Sequence, residues 1–210
     1  MRIIWDWNGT LLNDNHASLS ALNAILSKRN LDKIDLNYYR NNFSFPVRHF
    51  YEKVGVRLEC EDWDSLAQEY HDSYHACSLH LANDAMEALE SAKSAGLRQS
   101  VVSALREDYL ISDMDKFGIR PSFDSIFGTG NLDGCSKLSR MRDCAAMFPG
   151  DNFVVIGDSI HDFEAAREIG AQCVLYAGGS HAASRLEPFA PVARTLIEAV
   201  GIAHKLLHGG

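Results

Sequence analysis

From residue 81 onward, short apolar runs alternate with longer stretches of helical periodicity, and several of the helical stretches stop at a glycine. Residues 83–95 read as a helix ending at Gly96, and 106–117 as a second ending near Gly118. A third covers 136–148 and runs into Pro149-Gly150, a fourth covers Ile160 to Ile169 and closes at Gly170, and a last one covers about 192–207. Between them lie Ser100-Val101-Val102-Ser103, Ser125-Ile126-Phe127, Phe153-Val154-Val155-Ile156 and Cys173-Val174-Leu175-Tyr176. Runs this short and apolar, bounded by turn signals, read as buried strands. Strand and helix in regular alternation imply a parallel sheet covered by helices on both faces.

The amino-terminal part has a different texture. Residues 2–6 read as one buried strand. From Asn13 to Asn30 the apolar positions Leu19, Leu22, Ile25 and Leu26 recur at helical spacing. Residues 35–43 and 46–54 read as two short helices, with Pro46 at a helix start, and Glu61 to Cys77 as a longer one. The expectation is therefore an α/β, Rossmann-like core made of residues 1–12 and 81–210. An all-helical insertion, residues 13–80, follows the first strand. A chain of 210 residues is long enough for one good core and a modest insertion.

Charge and cysteine usage narrow the function classes. The net charge is −8, which offers no general positive field to draw in a polyanion, so no nucleic-acid partner is expected. A small phosphorylated substrate fits if cations are concentrated locally. The five cysteines, Cys60, Cys77, Cys135, Cys144 and Cys173, form no CxxC pair and read as idle or buried thiols of a reducing compartment. The first strand begins almost at Met1, so no signal peptide is expected, and no apolar run reaches the roughly 18 residues needed to span a membrane. The expected compartment is the cytoplasm, with no membrane partner.

In open parallel sheets the ligand site lies beyond the carboxyl ends of the strands. Here those ends carry reactive side chains. The first strand runs into Asp6-Trp7-Asn8-Gly9-Thr10, and the strand at 100–102 ends at Ser103. Lys137 begins the helix before the strand 153–156, which ends at Gly157-Asp158-Ser159, with Asp162 one helical turn on. A carboxylate at the tip of a strand can attack phosphorus as a covalent nucleophile, and Gly9 lets the backbone turn sharply away. Asp6 and Asp158 are hard oxygen ligands suited to Mg²⁺. Ser103 can hydrogen-bond a phosphoryl oxygen, and Lys137 supplies a point charge.

Together these four segments, including Gly157-Asp158-Ser159-Ile160-His161-Asp162, resemble the motifs of the haloacid dehalogenase-like hydrolase superfamily. The helical insertion resembles the cap of its phosphoglycolate phosphatase-like branch. The resemblance covers essentially the whole chain and implies a Mg²⁺-dependent phosphatase. Asp6 would be the nucleophile that forms an aspartyl-phosphate. Asp6, the Asn8 backbone carbonyl and Asp158 would hold the metal, with Asp162 supporting it directly or through water. Ser103 and Lys137, with Thr10 and Ala104 beside them, would bind the transferring phosphoryl group of a small phosphorylated metabolite. A monomer or homodimer is expected.

Asn8 departs from the pattern. The family's phosphatases usually carry a second Asp there, which protonates the leaving oxygen. An amide cannot donate that proton, and such help is typically worth about 10²–10⁴-fold. The expectation is weak turnover of alkyl phosphates, a substrate with a good leaving group, or another proton donor. His161, near in sequence, reads better as an exposed helix residue. Two alternatives follow: a phosphonate-cleaving relative using Lys28, Lys33 or Lys53 as a Schiff base, or a phospho-ligand binding protein with little turnover. Arg48, beside the aromatics of Phe43-Ser44-Phe45, is the expected substrate contact from the insertion. His71 and His75 are four apart on a helix but lack a third ligand, and Gly178-Gly179-Ser180-His181 reads as a loop entering a helix.

Overall fold

A computed structural model describes residues 1–130 and 137–209. Cys135 and the start of the expected 136–148 helix lie outside the described residues. In chain order the elements begin with β1 (Arg2–Trp5) and β2 (Leu12–Asn13). Next come α1 (Asn15–Lys28), α2 (Leu36–Asn42), α3 (Val47–Lys53), α4 (Trp63–His75) and β3 (His80–Leu81). After them α5 (Ala85–Ser94), β4 (Arg98–Arg106), α6 (Glu107–Lys116), β5 (Ser125–Thr129) and α7 (Lys137–Met147) alternate. The chain finishes with β6 (Phe153–Gly157), α8 (Ile160–Glu168), β7 (Gln172–Tyr176), α9 (Ala183–Leu186), β8 (Val192–Ala193) and α10 (Leu196–His208).

Six strands pair in parallel in the order β5-β4-β1-β6-β7-β8. This is a Rossmann-like, doubly wound α/β sheet. Strand order reverses between β1 and β6, so the crevice that binds ligands in such folds opens beyond their carboxyl ends. The pleat divides the core. Ile3, Trp5, Val101, Val154 and Ile156 face one side and pack under α5, α6 and α10. Ile4, Val102, Val155 and Leu175 face the other, under α7, α8 and α9. A strand buried on both faces reads as a continuous apolar run, which is why Ile3-Ile4-Trp5 and Val154-Val155-Ile156 show no alternation.

The helices α1–α4 sit between two short strands. β2 and β3 pair antiparallel, Leu12 opposite Leu81 and Asn13 opposite His80, so the chain leaves and re-enters the sheet domain side by side. Helix α1 joins the two parts. Ala17 and Ala21 belong to the main core, whereas Leu22, Ile25 and Leu26 join Tyr39, Phe50, Tyr51 and Leu66 in a separate cluster within the helical insertion.

Three expectations need correction. The stretch 13–80 is not purely helical, because residues 13 and 80 form the β2–β3 pair. Two-residue strands carry no periodicity to detect. The 192–207 segment is not one helix: Val192-Ala193 adds an edge strand beside β7, and Thr195 then caps α10 by accepting the Glu198 N–H at 3.1 Å. β4 does not stop at Ser103 but continues to Arg106, with a break in pairing register between Val102 and Arg106.

Candidate active site

The site is built at the reversal between β1 and β6. The Asp6 N–H donates to the Ile156 carbonyl at 2.9 Å, extending the β1–β6 ladder one residue past β1 and fixing where the Asp6 side chain emerges. The turn after it is held from three directions. Gly9 has φ +76°, a conformation that glycine adopts without penalty. Its N–H donates to Asp14 Oδ1 at 2.8 Å, and its Cα lies so close to Asp158 that a Cβ would strike the carboxyl group. Thr10 is fully buried and does not line the cavity above the site. Its hydroxyl donates to Asp6 Oδ2 at 3.0 Å and so orients that carboxylate.

Asp158 follows β6, and Asp162 lies in the first turn of α8. The Ser159 N–H and hydroxyl both donate to Asp162 Oδ2, at 3.0 and 2.7 Å, so Asp162 is part of the helix cap and its position is set by the start of α8. Gly157 makes room for it, since a Cβ there would overlap the Asp162 side chain. Oxygens of Asp6, Asp158 and Asp162 lie within 4.8 Å of one another, all three residues buried. Lys137, the first described residue of α7 and 4% exposed, donates to Asp6 Oδ1 and to Asp162 Oδ1, the latter at 2.5 Å. Ser103 and Ala104 line the same cavity from β4.

The electrostatics of this cluster are unbalanced. Burial pushes Asp6 up to about 6 against the pull of Lys137. Burial also raises Asp162, but Lys137 and the Ser159 hydroxyl more than offset it, and the net shift is downward. Lys137 is pushed down by burial and drawn up further by Asp162 and Asp6, so it stays charged. Among the described residues Asp158 has no ion-pair partner. Burial, then the charges of Asp6 and Asp162, hold its carboxyl well above the usual range, and only Ser180 opposes them, donating from its N–H at 2.5 Å and its hydroxyl at 2.6 Å. One ammonium among three buried carboxylates leaves negative charge uncompensated. That donor set, oxygen only and short of positive charge, fits a hard divalent cation.

Asn8 lies beside the acids and faces a second, smaller network. Its amide donates to Asp14 Oδ2 at 2.9 Å and to the Tyr74 hydroxyl at 3.2 Å, and Tyr74 in turn donates to Asp14 Oδ2 at 2.8 Å. Asp14 is raised by burial, opposed by these donors.

Above the acids lies a cavity of about 260 Å³ between the sheet domain and α1–α4. Arg48, the expected substrate contact, does not line it: the side chain is exposed and its guanidinium lies 4.1 Å over the Trp63 ring. The inward face of α3 is taken by Val47, Phe50 and Tyr51, which turns Arg48 outward. His161 is corrected in the opposite sense. It lines the cavity, its side chain is 16% exposed, and it stacks on Phe45 with ring centroids 4.9 Å apart. Burial pushes its pKa down. His71 also lines the cavity, but it and His75 join no three-ligand cluster among the described residues.

Asp14, Tyr74 and Ser180 are site residues that sequence reasoning missed. The Gly178-Gly179-Ser180 run after β7 was a usable signal, because it too sits beyond a strand's carboxyl end. Gly179 packs against Asp158 and the Gly9 backbone, where a Cβ would not fit.

Acidic groups gathered at the reversal point of a doubly wound parallel sheet define a class of Rossmann-like hydrolases, and this chain falls within it. It belongs to the haloacid dehalogenase-like hydrolase family, to which residues 3–176 match. Among solved structures, a conserved haloacid dehalogenase-like protein from Agrobacterium tumefaciens is similar with TM-score 0.80 and 18% identity, over 97% of both chains. A protein described as a predicted phosphatase from Clostridium acetobutylicum matches with TM-score 0.77 and 18% identity, over 96% of both. One described as a predicted phosphoglycolate phosphatase from Haemophilus somnus matches with TM-score 0.69 and 19% identity, again over 96% of both. At these identities the likeness is one of fold. No curated protein sequence matches the chain.

Proposed function

We propose that this hydrolase is a Mg²⁺-dependent phosphatase that cleaves a small phosphate monoester through an aspartyl-phosphate on Asp6. The observation that carries this reading is the position of Asp6: a buried carboxylate at the tip of the central strand, bonded to Lys137 and grouped with Asp158 and Asp162 at the base of the cavity. Asp6, Asp158 and the Asn8 carbonyl, with Asp162 behind them, would hold the cation. When bound, it supplies the positive charge that the three carboxylates lack and neutralises the phosphoryl oxygens.

The chain's own groups do the rest. Thr10 fixes one Asp6 oxygen; the other, which Lys137 holds in the resting site, attacks phosphorus in line with the departing ester oxygen once the ammonium turns to the phosphoryl group. Lys137 keeps Asp6 ionised and then holds a phosphoryl oxygen, and Ser103 and Ala104 hold others. Charge placement of this kind contributes most of the catalysis in phosphoryl transfer. Water then attacks the acyl phosphate and regenerates Asp6. We place helices α1–α4 (within residues 13–80) as a cap over the core of residues 1–12 and 81–210, admitting substrate and excluding bulk water. Among the described residues no helix is long and apolar enough to cross a membrane. We assign the enzyme to the cytoplasm, working as a monomer or homodimer on a small phosphorylated metabolite, without nucleic-acid or membrane partners.

The phosphonate-cleaving alternative finds less support. Lys28, Lys33 and Lys53 are exposed and none of them lines the cavity. The test is hydrolysis of a phosphate monoester with Mg²⁺ and with EDTA, by the native chain and by Asp6→Asn. Turnover that needs both the metal and Asp6 supports the reading. Tight phosphate-analogue binding with no hydrolysis would favour the binding protein.

A further inference from the structure

The cavity above Asp6 is mainly aromatic and apolar above its floor; Asn15, Ser18, Tyr74 and the imidazoles of His71 and His161 are the polar members of its wall, and burial pushes the pKa of both imidazoles down, toward the uncharged form. Helices α1–α4 contribute Tyr39, Phe50, Trp63, Leu66 and Tyr70, and Phe43 joins them from the loop after α2. Among the described residues, the lysine and arginine content of the lining is Lys137 alone, and that ammonium is committed to two floor acids. Arg48 is turned away onto Trp63, and Arg40, also from the insertion, is absent from the lining and donates to the Ala177 carbonyl. The polar wall groups have partners too: the Asn15 amide donates to the Gly178 carbonyl at 3.0 Å, and the Tyr74 hydroxyl donates to Asp14.

From this lining we infer that the natural substrate is the phosphate monoester of a single-ring phenol carrying no charge besides the phosphate. The inference rests on the phosphatase reading above and adds the chemistry of the leaving group. A carboxylate or second phosphate on the substrate would enter an apolar chamber without a cation, at the cost of its hydration. An aromatic ring meets ring faces and edges instead. Size agrees: an apolar cavity of roughly 150 Å³ accepts benzene, so 260 Å³ holds one ring and the phosphoryl group. The missing acid at Asn8 points the same way on separate grounds. A phenol leaves as an anion whose conjugate acid has a pKa of about 10, so it needs far less protonation than an alkoxide. In the step itself the Asp6 oxygen–phosphorus bond forms as the phosphorus–phenolate bond breaks, and the phenolate takes its proton from water after release.

Binding separates cavity fit from leaving-group reactivity. The probes are phenylphosphonate and methylphosphonate, which cannot be hydrolysed, competed against inorganic phosphate in the full chain with Mg²⁺. Phenylphosphonate is expected to bind tighter by on the order of 10–100-fold. The variant Ala67→Arg, which puts a cation into the α4 wall, is expected to abolish that preference and to improve kcat/KM for phosphoglycolate relative to phenyl phosphate. Equal affinity for the two phosphonates, or a native preference for phosphoglycolate over phenyl phosphate, overturns this inference and leaves the phosphatase reading intact. Absence of binding by either phosphonate together with absence of hydrolysis of any ester overturns both.

Discussion

The amide of Asn8 donates to the carboxylate of Asp14 at 2.9 Å, in a position where an aspartate would put two carboxylates face to face. Two acids that close cannot both ionise, and one of them is kept protonated near neutral pH. Asn8→Asp is therefore expected to create a proton donor at this position. Its kcat on an alkyl phosphate should rise about 10- to 100-fold, within the range of general acid help, with little change on an aryl phosphate. In Asn8→Asp combined with Asp14→Asn the new carboxyl ionises freely, and the gain should shrink. Steady-state rates on the two esters check both statements.

Asp158 is a carboxylate that the metal-free protein tolerates poorly. Its folded pKa lies above its unfolded one, so the native state binds more protons than the unfolded chain over that window. Stability from this group is present at low pH and is lost as the pH rises through the folded value. Asp158→Asn should accordingly stabilise the metal-free protein, more at pH 8 than at pH 5. It should also diminish the rise in Tm expected of the native chain in Mg²⁺. Thermal melts with and without Mg²⁺ at both pH values test this. A drop in metal-free Tm at pH 8 would refute it.

Gly9 and Gly96 share a positive φ, +76° and +71°, but only Gly9 packs against another group. Substituting alanine at either site should cost about 1–2 kcal/mol for the left-handed backbone. Gly96→Ala should keep full activity. Gly9→Ala also pushes on Asp158, and its kcat should fall at least tenfold, about 1.4 kcal/mol in transition-state terms. Urea melts and initial rates on the two variants separate strain from site damage.

His181 lies under the loop that carries Ser180, 2% exposed, and its Nδ1 accepts the Ile160 N–H at 3.1 Å. Burial, and then the charge of Arg185, push its pKa down to about 4. The unfolded chain takes up this proton near 6.5, so the stability it contributes is complete above that pH and fades as the pH falls through 4. The two pKa values imply a contribution on the order of 3 kcal/mol. His181→Asn keeps an acceptor without the titration. Its stability relative to the native chain should improve between pH 7.5 and pH 4.5, measured as the change in urea midpoint.

Lys137 is the single lysine or arginine among the described cavity-lining residues, and both its partners are buried. Removing one member of such a group strands the others, typically at about 3–5 kcal/mol. Lys137→Met should lose that stability in EDTA and recover part of it in Mg²⁺, while hydrolysis falls to background. Calorimetry in the two buffers gives the difference.

Residues contiguous in the chain settled the alternation of strands and helices, the helical character of the stretch after the first strand, and the arrival of Asp6 and Asp158 just past strand ends, whereas Ser103 proved to lie inside β4. Periodicity, glycine stops and apolar runs are local properties, so they survive in one dimension. Two-residue pairings such as Leu12 with Leu81 do not, because their stability comes from the partner rather than from the segment. Only the tertiary structure decided that Ser180 meets Asp158, that Tyr74 from α4 reaches Asp14, that Arg48 turns outward and that His161 turns in. Each depends on which helix face is already occupied when two distant segments pack, a competition for space that no single stretch of sequence contains.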